Sequence, residues 1–244
     1  GYFRNNQKAP SMQILPSILF EDEVLVAFDK PSGLLVAPDR WDKEQESLMQ
    51  LVHVRLSPNI FNVHRLDRET SGVLLCAKTK NALDILAGQF QSKQIQKRYL
   101  AITLGAPPQE EMSVRASIAE DDRRAGKMRI SKNGKACETR IHVLTRWRGY
   151  SFLEVFPITG RTHQIRVHLA FLGCPVLADP FYGDGRGLML SEIKRGYKEK
   201  PDEPERPLLG RLALHVEGMT FTHPITNQSL AIRSPVPKAF EVAI

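Results

Sequence analysis

Hydrophobic and polar residues alternate, or recur at helical spacing, in several stretches of the chain. The stretch "EVLVAFDKPSGLLVAP" predicts a strand over residues 24–28, a Pro-Ser-Gly turn and a short strand over residues 34–36. "RYLAITLG" also alternates, which places Tyr99, Ala101 and Thr103 on one face of a strand. Further strands are expected over residues 139–144 and 151–156, and two or three in the C-terminal tail, with a turn near Thr226 and Asn227.

Helical spacing is found in three places between these strands. Residues 43–56 are helix-like, and "NALDILAGQF" at 81–90 carries apolar residues at the positions that share one helix face. A third helix is expected where Ile165, His168, Leu169 and Leu172 form a stripe, with Gly173 as its C-terminal cap. Strands dominate and no regular βαβ rhythm is visible. The pattern predicts an α+β fold with a mixed, mostly antiparallel sheet and flanking helices.

The length of the chain limits the number of domains, and its net charge indicates the kind of binding partner. A chain of 244 residues has room for one large domain or two small ones, and we expect residues 1–17 to be an extension and 18–244 one domain. The net charge of +7 favours a polyanionic partner, nucleic acid first and an anionic membrane second. No stretch is apolar enough to span a bilayer, and the N-terminus lacks the apolar core of a secretory signal. Three scattered cysteines fit reduced thiols in a cytoplasmic protein, and a monomer is the default expectation.

The patterns that would indicate a metal or a nucleotide cofactor are missing. His163 and His168 are five residues apart, which is not the spacing of a helical zinc-binding pair, and His168 is expected in the core. No phosphate-binding GxxxxGK[ST] loop and no G-x-S-x-G nucleophile motif is present, and "GDGRGL" at 183–188 is too irregular for a dinucleotide loop. We therefore expect neither a metal nor a cofactor.

The stretch "HRLDRETSGVLLCAKT" contains candidate catalytic residues. Asp67 stands between Arg65 and Arg68, just before a small polar turn and an apolar run over residues 73–77. One interpretation is a solvated loop aspartate paired with a neighbouring arginine. The other is a catalytic carboxylate, which flanking guanidinium groups keep ionised and therefore suited to act as a nucleophile or a general base.

The same stretch resembles the signature H-R-L-D-x-x-T-S-G of the RluA-type pseudouridine synthases. Four further motifs follow the order of that family: "KPSGLLV" at 30–36, "KRYLA" at 97–101, "GRTHQIRVHLAFLGCPVLADPFYG" at 160–183 and "LALHV" at 212–216. The last departs by one residue from the family's L-H-A. The resemblance extends over about residues 18–235. Some members carry an added RNA-binding domain of the S4 type, for which we expect no room in this chain.

The resemblance implies isomerisation of uridine to pseudouridine in structured RNA, either ribosomal or transfer RNA. Asp67 corresponds to the catalytic aspartate, acting on C1′ as a nucleophile or on C2′ as a base. Arg166 corresponds to the arginine that pairs with it, and Tyr99 to a tyrosine that stacks on the base and takes the C5 proton. Arg65 corresponds to the residue that fills the stack after the uridine is flipped out. Further RNA contacts are expected from His64, Arg161 and Lys30, and phosphate contacts from Arg123, Arg124, Lys127, Arg129 and Lys132 in the charged segment 120–135.

Two other functions remain open at the level of sequence. The first is a catalytically idle RNA-binding protein, against which Asp67, Tyr99 and Arg166 are all present together. The second is an enzyme acting on another glycosidic or nucleobase substrate. The motifs offer no second carboxylate for a glycoside hydrolase, which argues against that class. They offer no zinc ligands either, which argues against a deaminase. RNA specificity is expected to lie in the variable segments 109–135 and 184–207, the latter including a polar, proline-rich surface loop at 198–207.

Overall fold

The computed structural model of the protein describes residues 14–38, 44–193 and 209–241, together with residues 196, 198, 202, 205 and 207. Within these residues the chain forms twelve strands and five helices, labelled in chain order. The strands are β1 (Ile18–Glu21), β2 (Leu25–Lys30), β3 (Phe61–Asn62), β4 (Ser71–Ala77), β5 (Gln96–Leu104), β6 (Glu111–Val114), β7 (Ile118–Glu120), β8 (Met128–Ile130), β9 (Thr139–Trp147), β10 (Tyr150–Pro157), β11 (Leu214–Thr222) and β12 (Ser229–Arg233). The helices are α1 (Leu48–Arg55), α2 (Lys80–Gln91), α3 (Gln164–Phe171), α4 (Leu190–Ile193) and α5 (Lys238–Glu241).

Ten of the strands form one mixed sheet. Eight of them lie in the order β1-β2-β4-β11-β5-β10-β9-β6, while β12 pairs with β11 and β3 with β4. The strands β7 and β8 form a separate two-stranded sheet, and β8 lies within the charged segment 120–135. Among the described strand pairs, β4 with β11 is the parallel one, and every other pair is antiparallel. The expected α+β class with a mostly antiparallel sheet is therefore confirmed.

Most of the predicted elements are present, with one error. Helix α2 follows the predicted range, with Thr79 as its N-cap, and α1 begins at Leu48 because the side chain of Ser47 caps it. The predicted strand over residues 34–36 is wrong. Leu35 forms only an isolated bridge to Ser47, because the carbonyls of residues 35 and 36 accept from the first amides of α1. The predicted extension 1–17 and the loop 198–207 lie largely outside the described residues.

Two hydrophobic cores meet near the middle of the sheet. One packs β2 and β4 against α1 and α2, and the other packs β5, β9 and β10 against α3. Strand β11 contributes Val216 to the first core and Leu214 to the second, and Tyr99 contacts both. As predicted, His168 of α3 is a core residue, with Thr139 Oγ1 2.7 Å from its Nδ1 and the Ala116 carbonyl 2.8 Å from its Nε2.

Gly72, from the "TSG" of the signature, lies in the parallel contact between β4 and β11. It pairs directly with Val216, and its φ of 113° belongs to a region that residues with a Cβ rarely adopt. A Cβ at this position would collide with the carbonyl of Val216. Glycine is thus required for the parallel contact that joins the two cores.

Replacing Gly72 with alanine is therefore expected to lower the free energy of unfolding by about 4 kcal/mol or more, through both backbone strain and the collision. Urea denaturation would measure the loss. Gly88→Ala is the matched control, since Gly88 lies in α2 and a methyl group added there would meet nothing within 4 Å. That substitution should stabilise by up to about 1 kcal/mol. Equal stability of the two variants would contradict this account of the β4–β11 contact.

No helix among the described residues is long and apolar enough to cross a membrane. Within the same residues, no three histidine, cysteine, aspartate or glutamate side chains are placed to hold one metal ion.

Candidate active site

Asp67 lies in the loop that leads into β4, four residues before the strand begins. Its carbonyl accepts from the amide of Thr70 at 3.1 Å, which closes a tight turn. Because this turn lies outside the strand, its position depends on other contacts. The segment 30–34, which belongs to the "KPSGLLV" motif, supplies them: the Gly33 amide donates to the Arg68 carbonyl at 2.8 Å, and Ser32 Oγ donates to the Glu69 carbonyl at 2.7 Å.

Lys30 is part of this support and does not face the cavity. The side chain is fully buried, and its ammonium donates to the carbonyls of Pro31, Leu34 and Arg68 at 3.0, 2.7 and 2.8 Å. Burial lowers the pKa of Lys30 to about 7, although the carboxylates of Glu69 and Asp67 act in the opposite direction. A buried ammonium cannot reach a phosphate, so the expected RNA contact is corrected to a role in holding the Asp67 loop.

Arg166 connects Asp67 to a second carboxylate that the sequence motifs did not single out. Its Nη1 donates to Asp67 Oδ2 at 3.1 Å, while Nε and Nη2 donate to the two oxygens of Asp179 at 2.8 Å each. The expected pairing of Arg166 with Asp67 is therefore present, but the bidentate bond is to Asp179. Asp179 is fully buried and also accepts from the amides of Phe181 and Tyr182.

The charge of Asp179 is maintained by these donors. Burial acts to raise the pKa of Asp179, but the hydrogen bonds and charge of Arg166 and the two backbone amides lower it overall. Arg166 is thus fixed by a permanent buried pair and presents its remaining nitrogen to Asp67. The Asp-Pro step at residues 179 and 180 was the available signal, since aspartate before proline commonly accepts hydrogen bonds from the turn that follows.

His163 faces the other oxygen of Asp67. Its Nε2 lies 3.7 Å from Asp67 Oδ1, and its Nδ1 lies 2.7 Å from the hydroxyl of Tyr182. The Met128 amide donates to the oxygen of that hydroxyl at 2.9 Å. The hydroxyl can therefore donate its own hydrogen bond to Nδ1, and the hydrogen of the neutral ring is then on Nε2. His163 has a φ of 53°, a strained value for a residue with a Cβ. In the sequence, His163 was considered only as a metal ligand, from its spacing to His168, and its position beside Asp67 was not predicted.

Tyr99 lines the same cavity from β5. Burial raises its pKa, and the negative charge of Asp67 raises it further. The phenol therefore stays protonated at neutral pH, which favours a stacking role over that of a base in the free protein. A basic tyrosine would need positive charge nearby to lower its pKa, and the environment of Tyr99 acts in the opposite direction.

The remaining predicted residues lie along the cavity wall and rim. His64 accepts the Leu75 amide at its Nε2 at 2.9 Å and stacks on Phe90, and burial together with Lys97 lowers its pKa to about 3. It is therefore neutral. Arg65 and Arg161 are exposed. The Arg65 side chain donates to the Ala37 carbonyl and Nε of Arg161 donates to the Ala136 carbonyl, both at a long 3.3 Å.

Together these side chains surround an open cavity of about 840 Å³, within the size range of small-molecule sites. Six of the seven predicted residues line it: Asp67, Tyr99, Arg166, Arg65, His64 and Arg161. Its lining also includes Lys97, His163 and Phe181, which the sequence motifs had not assigned to the site. The cavity is rich in cations, and the side chain of Asp67 is 28% exposed within it.

The sequence and the fold of this chain are similar to those of known proteins. Residues 24–171 match the family model described as RNA pseudouridylate synthase, and the chain therefore belongs to this family. It is 35% identical over 227 residues to "Ribosomal large subunit pseudouridine synthase C" of Pasteurella multocida, covering 92% of this chain and 65% of the relative. "Ribosomal large subunit pseudouridine synthase D" of Xylella fastidiosa is 35% identical over 231 residues, covering 91% of this chain and 66% of the relative.

A solved structure supports the same relationship. The human protein titled "RNA Pseudouridylate Synthase Domain Containing 4" superposes with a TM-score of 0.70 at 30% identity, covering 92% of this chain and 90% of the human one. The chain thus spans about two thirds of the length of the curated relatives named above, and most of this solved structure.

Proposed function

We propose that this chain isomerises uridine to pseudouridine in structured RNA, with Asp67 as its catalytic carboxylate. The observation that carries the proposal is the placement of Asp67 in a basic cavity, against the buried Arg166, in a member of the RNA pseudouridylate synthase family. Arg166 is a permanent cation, and its Nη1 donates to this carboxylate, which orients one of the two oxygens in the cavity.

The reaction needs no co-reactant, because it only rearranges one nucleotide. The bond from C1′ to N1 breaks, the base turns, a bond from C1′ to C5 forms, C5 loses its proton and N1 gains one. Asp67 acts either by forming an ester at C1′, which C5 then displaces, or by taking a proton from C2′. In both routes Arg166 donates to one carboxylate oxygen, the His163 ring lies 3.7 Å from the other, and Tyr99 stacks on the base as a neutral phenol.

Hydrolysis of the glycosidic bond is the principal rival chemistry. Retaining and inverting glycosidases both use two carboxyl groups, one of which protonates the leaving group. Glu69 also lines the cavity, but its Oε2 accepts from Ser32 Oγ at 3.3 Å and its carbonyl accepts from the same hydroxyl. This engagement with the supporting segment 30–34 favours a role in the loop for Glu69. Release of free uracil would favour the hydrolase instead.

The names of the relatives suggest the first RNA to test. Both relatives cited are ribosomal large-subunit enzymes, so we propose large-subunit ribosomal RNA as the substrate class, with transfer RNA as the alternative. In vitro transcripts of both, labelled with tritium at C5 of uridine, distinguish them. Release of tritium to water together with recovery of pseudouridine is the expected result. Labelled free uracil, or no release from either RNA, would contradict the proposal.

Arg65 is proposed to occupy the space that the flipped uridine leaves in the RNA stack. It lies exposed at the cavity rim, and one long contact to the Ala37 carbonyl leaves it free to move. A planar guanidinium can stack on bases and donate hydrogen bonds at the same time.

Arg65→Ala is therefore expected to lower kcat/KM by about tenfold or more on a stem-loop, where unstacking costs a few kcal/mol, and much less on a short single strand of the same sequence. Arg146→Ala is the matched control, because Arg146 is an exposed arginine of β9 that does not line the cavity. Equal losses on the two RNAs would argue against the flipping role.

A further inference from the structure

Strand β5 directs two neighbouring basic residues to opposite faces. Arg98 is paired with the carboxylates of Glu154 and Glu217, at 2.7 and 3.0 Å. Lys97 instead lines the cavity, on the same face of the strand as Tyr99. Arg98 thus has its charge neutralised within the protein, and Lys97 presents its charge to the cavity.

The ammonium of Lys97 is poorly satisfied by the protein. Its nearest acceptor is the Thr159 carbonyl, at a long 3.4 Å, and the ring of Phe90 lies 6.0 Å away. Among the described residues, no carboxylate lies within salt-bridge distance of it. An ammonium has three donors, and a half-buried one with a single long hydrogen bond retains most of its capacity for an anionic ligand.

We propose that Lys97 is a phosphate-binding residue, which holds a phosphodiester of the RNA strand at the cavity while Tyr99 engages the flipped base. The inference rests on the proposed function for the identity of the ligand as RNA. Its chemical basis is the weakly bonded ammonium two residues from Tyr99 on the same strand face, roughly 7 Å along the backbone. No role was assigned to Lys97 from the sequence, because "KRYLA" carries two adjacent cations that look equivalent there.

The charge of Lys97 provides a distinctive signal. Burial lowers its pKa to about 8, so the free protein loses this charge between pH 7 and pH 9. A bound phosphate raises the pKa, and RNA binding therefore weakens as pH rises through about 8. The groups near the ammonium do not titrate in this window: His64 is neutral, Thr159 and Phe90 are uncharged, and Tyr99 on the same strand face stays protonated. Lys30, with a pKa of about 7, is common to all variants compared.

The test compares wild type, Lys97→Arg and Lys97→Met on an unmodified large-subunit ribosomal RNA transcript. Lys97→Met should lower kcat/KM at pH 7 by about tenfold or more, since it removes a charged hydrogen bond. Arginine keeps its charge, so the ratio of Lys97→Arg to wild type should rise about tenfold from pH 7 to pH 9, in line with the loss of protonated lysine. A purely structural lysine would not produce this pH-dependent rescue.

Binding to the same transcript separates this inference from the proposed function. In an Asp67→Asn background, adding Lys97→Met should weaken RNA binding and reduce the slope of log K against log salt by about 0.7–0.9, the value for one phosphate contact. If wild type forms no pseudouridine, the proposed function fails, and these binding data still decide the role of Lys97. Unchanged affinity and slope, with both variants folded by circular dichroism, would overturn it. A flat ratio of Lys97→Arg to wild type between pH 7 and pH 9 would do the same.

Discussion

Asp67→Asn is expected to reduce pseudouridine formation by at least about 10³-fold while RNA binding persists. The amide has nearly the volume of the carboxylate, but it neither attacks C1′ nor accepts a proton from C2′. The structure adds a reason for the variant to fold normally. Arg166 keeps its bidentate pair with Asp179, so removing the charge of Asp67 does not leave a buried guanidinium without a counter-ion.

The measurement is tritium release from 5-labelled transcripts, with RNA affinity determined by filter binding on the same material. Asp84→Asn is a matched control, because Asp84 is an exposed carboxylate of α2 that pairs with Lys80 one helical turn away. Full activity in Asp67→Asn would refute the assignment of the catalytic residue. Loss of RNA affinity together with activity would show that the carboxylate serves the binding surface instead.

Asp179→Asn is expected to destabilise the protein by roughly 3–5 kcal/mol, the usual cost of breaking a buried ion pair from one side. The asparagine can accept from Arg166 through one oxygen only and carries no charge. Arg166 is then left buried with Asp67 as its counter-ion, which also alters the orientation of the catalytic carboxylate. Both the free energy of unfolding in urea and kcat should fall.

Two further variants make this prediction specific. Asp184→Asn should have little effect, since Asp184 is exposed and its carboxylate accepts from the Arg186 amide in a local turn. Arg166→Met in the Asp179→Asn background should recover stability without recovering activity, because the unpaired charge is removed. The pKa of Asp179 is lowered on folding, so its contribution is complete above the ordinary carboxyl pKa and is lost as pH falls through the lowered value. Wild type and Asp179→Asn should therefore converge in stability in acid.

The resemblance to RluA-type synthases predicted the residues of the site that lie within the quoted motifs. Asp67 and Arg166 are 99 residues apart, and only that resemblance implied their contact, with which the 3.1 Å distance agrees. Asp179 was missed because its role depends on a tertiary pairing with Arg166, for which a single sequence offers only the Asp-Pro turn signal. Lys30 was expected to contact RNA, and its burial could not be read from the sequence because the three carbonyls that satisfy its ammonium are brought together only by folding.

The fold was predictable to a similar extent. Alternation identified β2, β5, β9 and β10, since each has a clear apolar periodicity. The run at 34–36 misled because its apolar residues are buried beside the N-terminus of α1 and not in a sheet. The parallel pair β4–β11 could not be predicted either. Its strands are more than a hundred residues apart, and the sequence of neither strand indicates which strand it pairs with.

That pair determines when the active site can form during synthesis of the chain. Strand β11 lies between β4 and β5, so the part of the sheet that contains β4, next to Asp67, and the part that carries Tyr99 are joined by a strand that is synthesised after both. At about 5–20 residues per second, a ribosome needs roughly 7–30 s to proceed from β4 to β11. During that interval the edges of β4 and β5 are unpaired. The nascent chain is consequently exposed to aggregation, and to chaperones, until β11 has been synthesised.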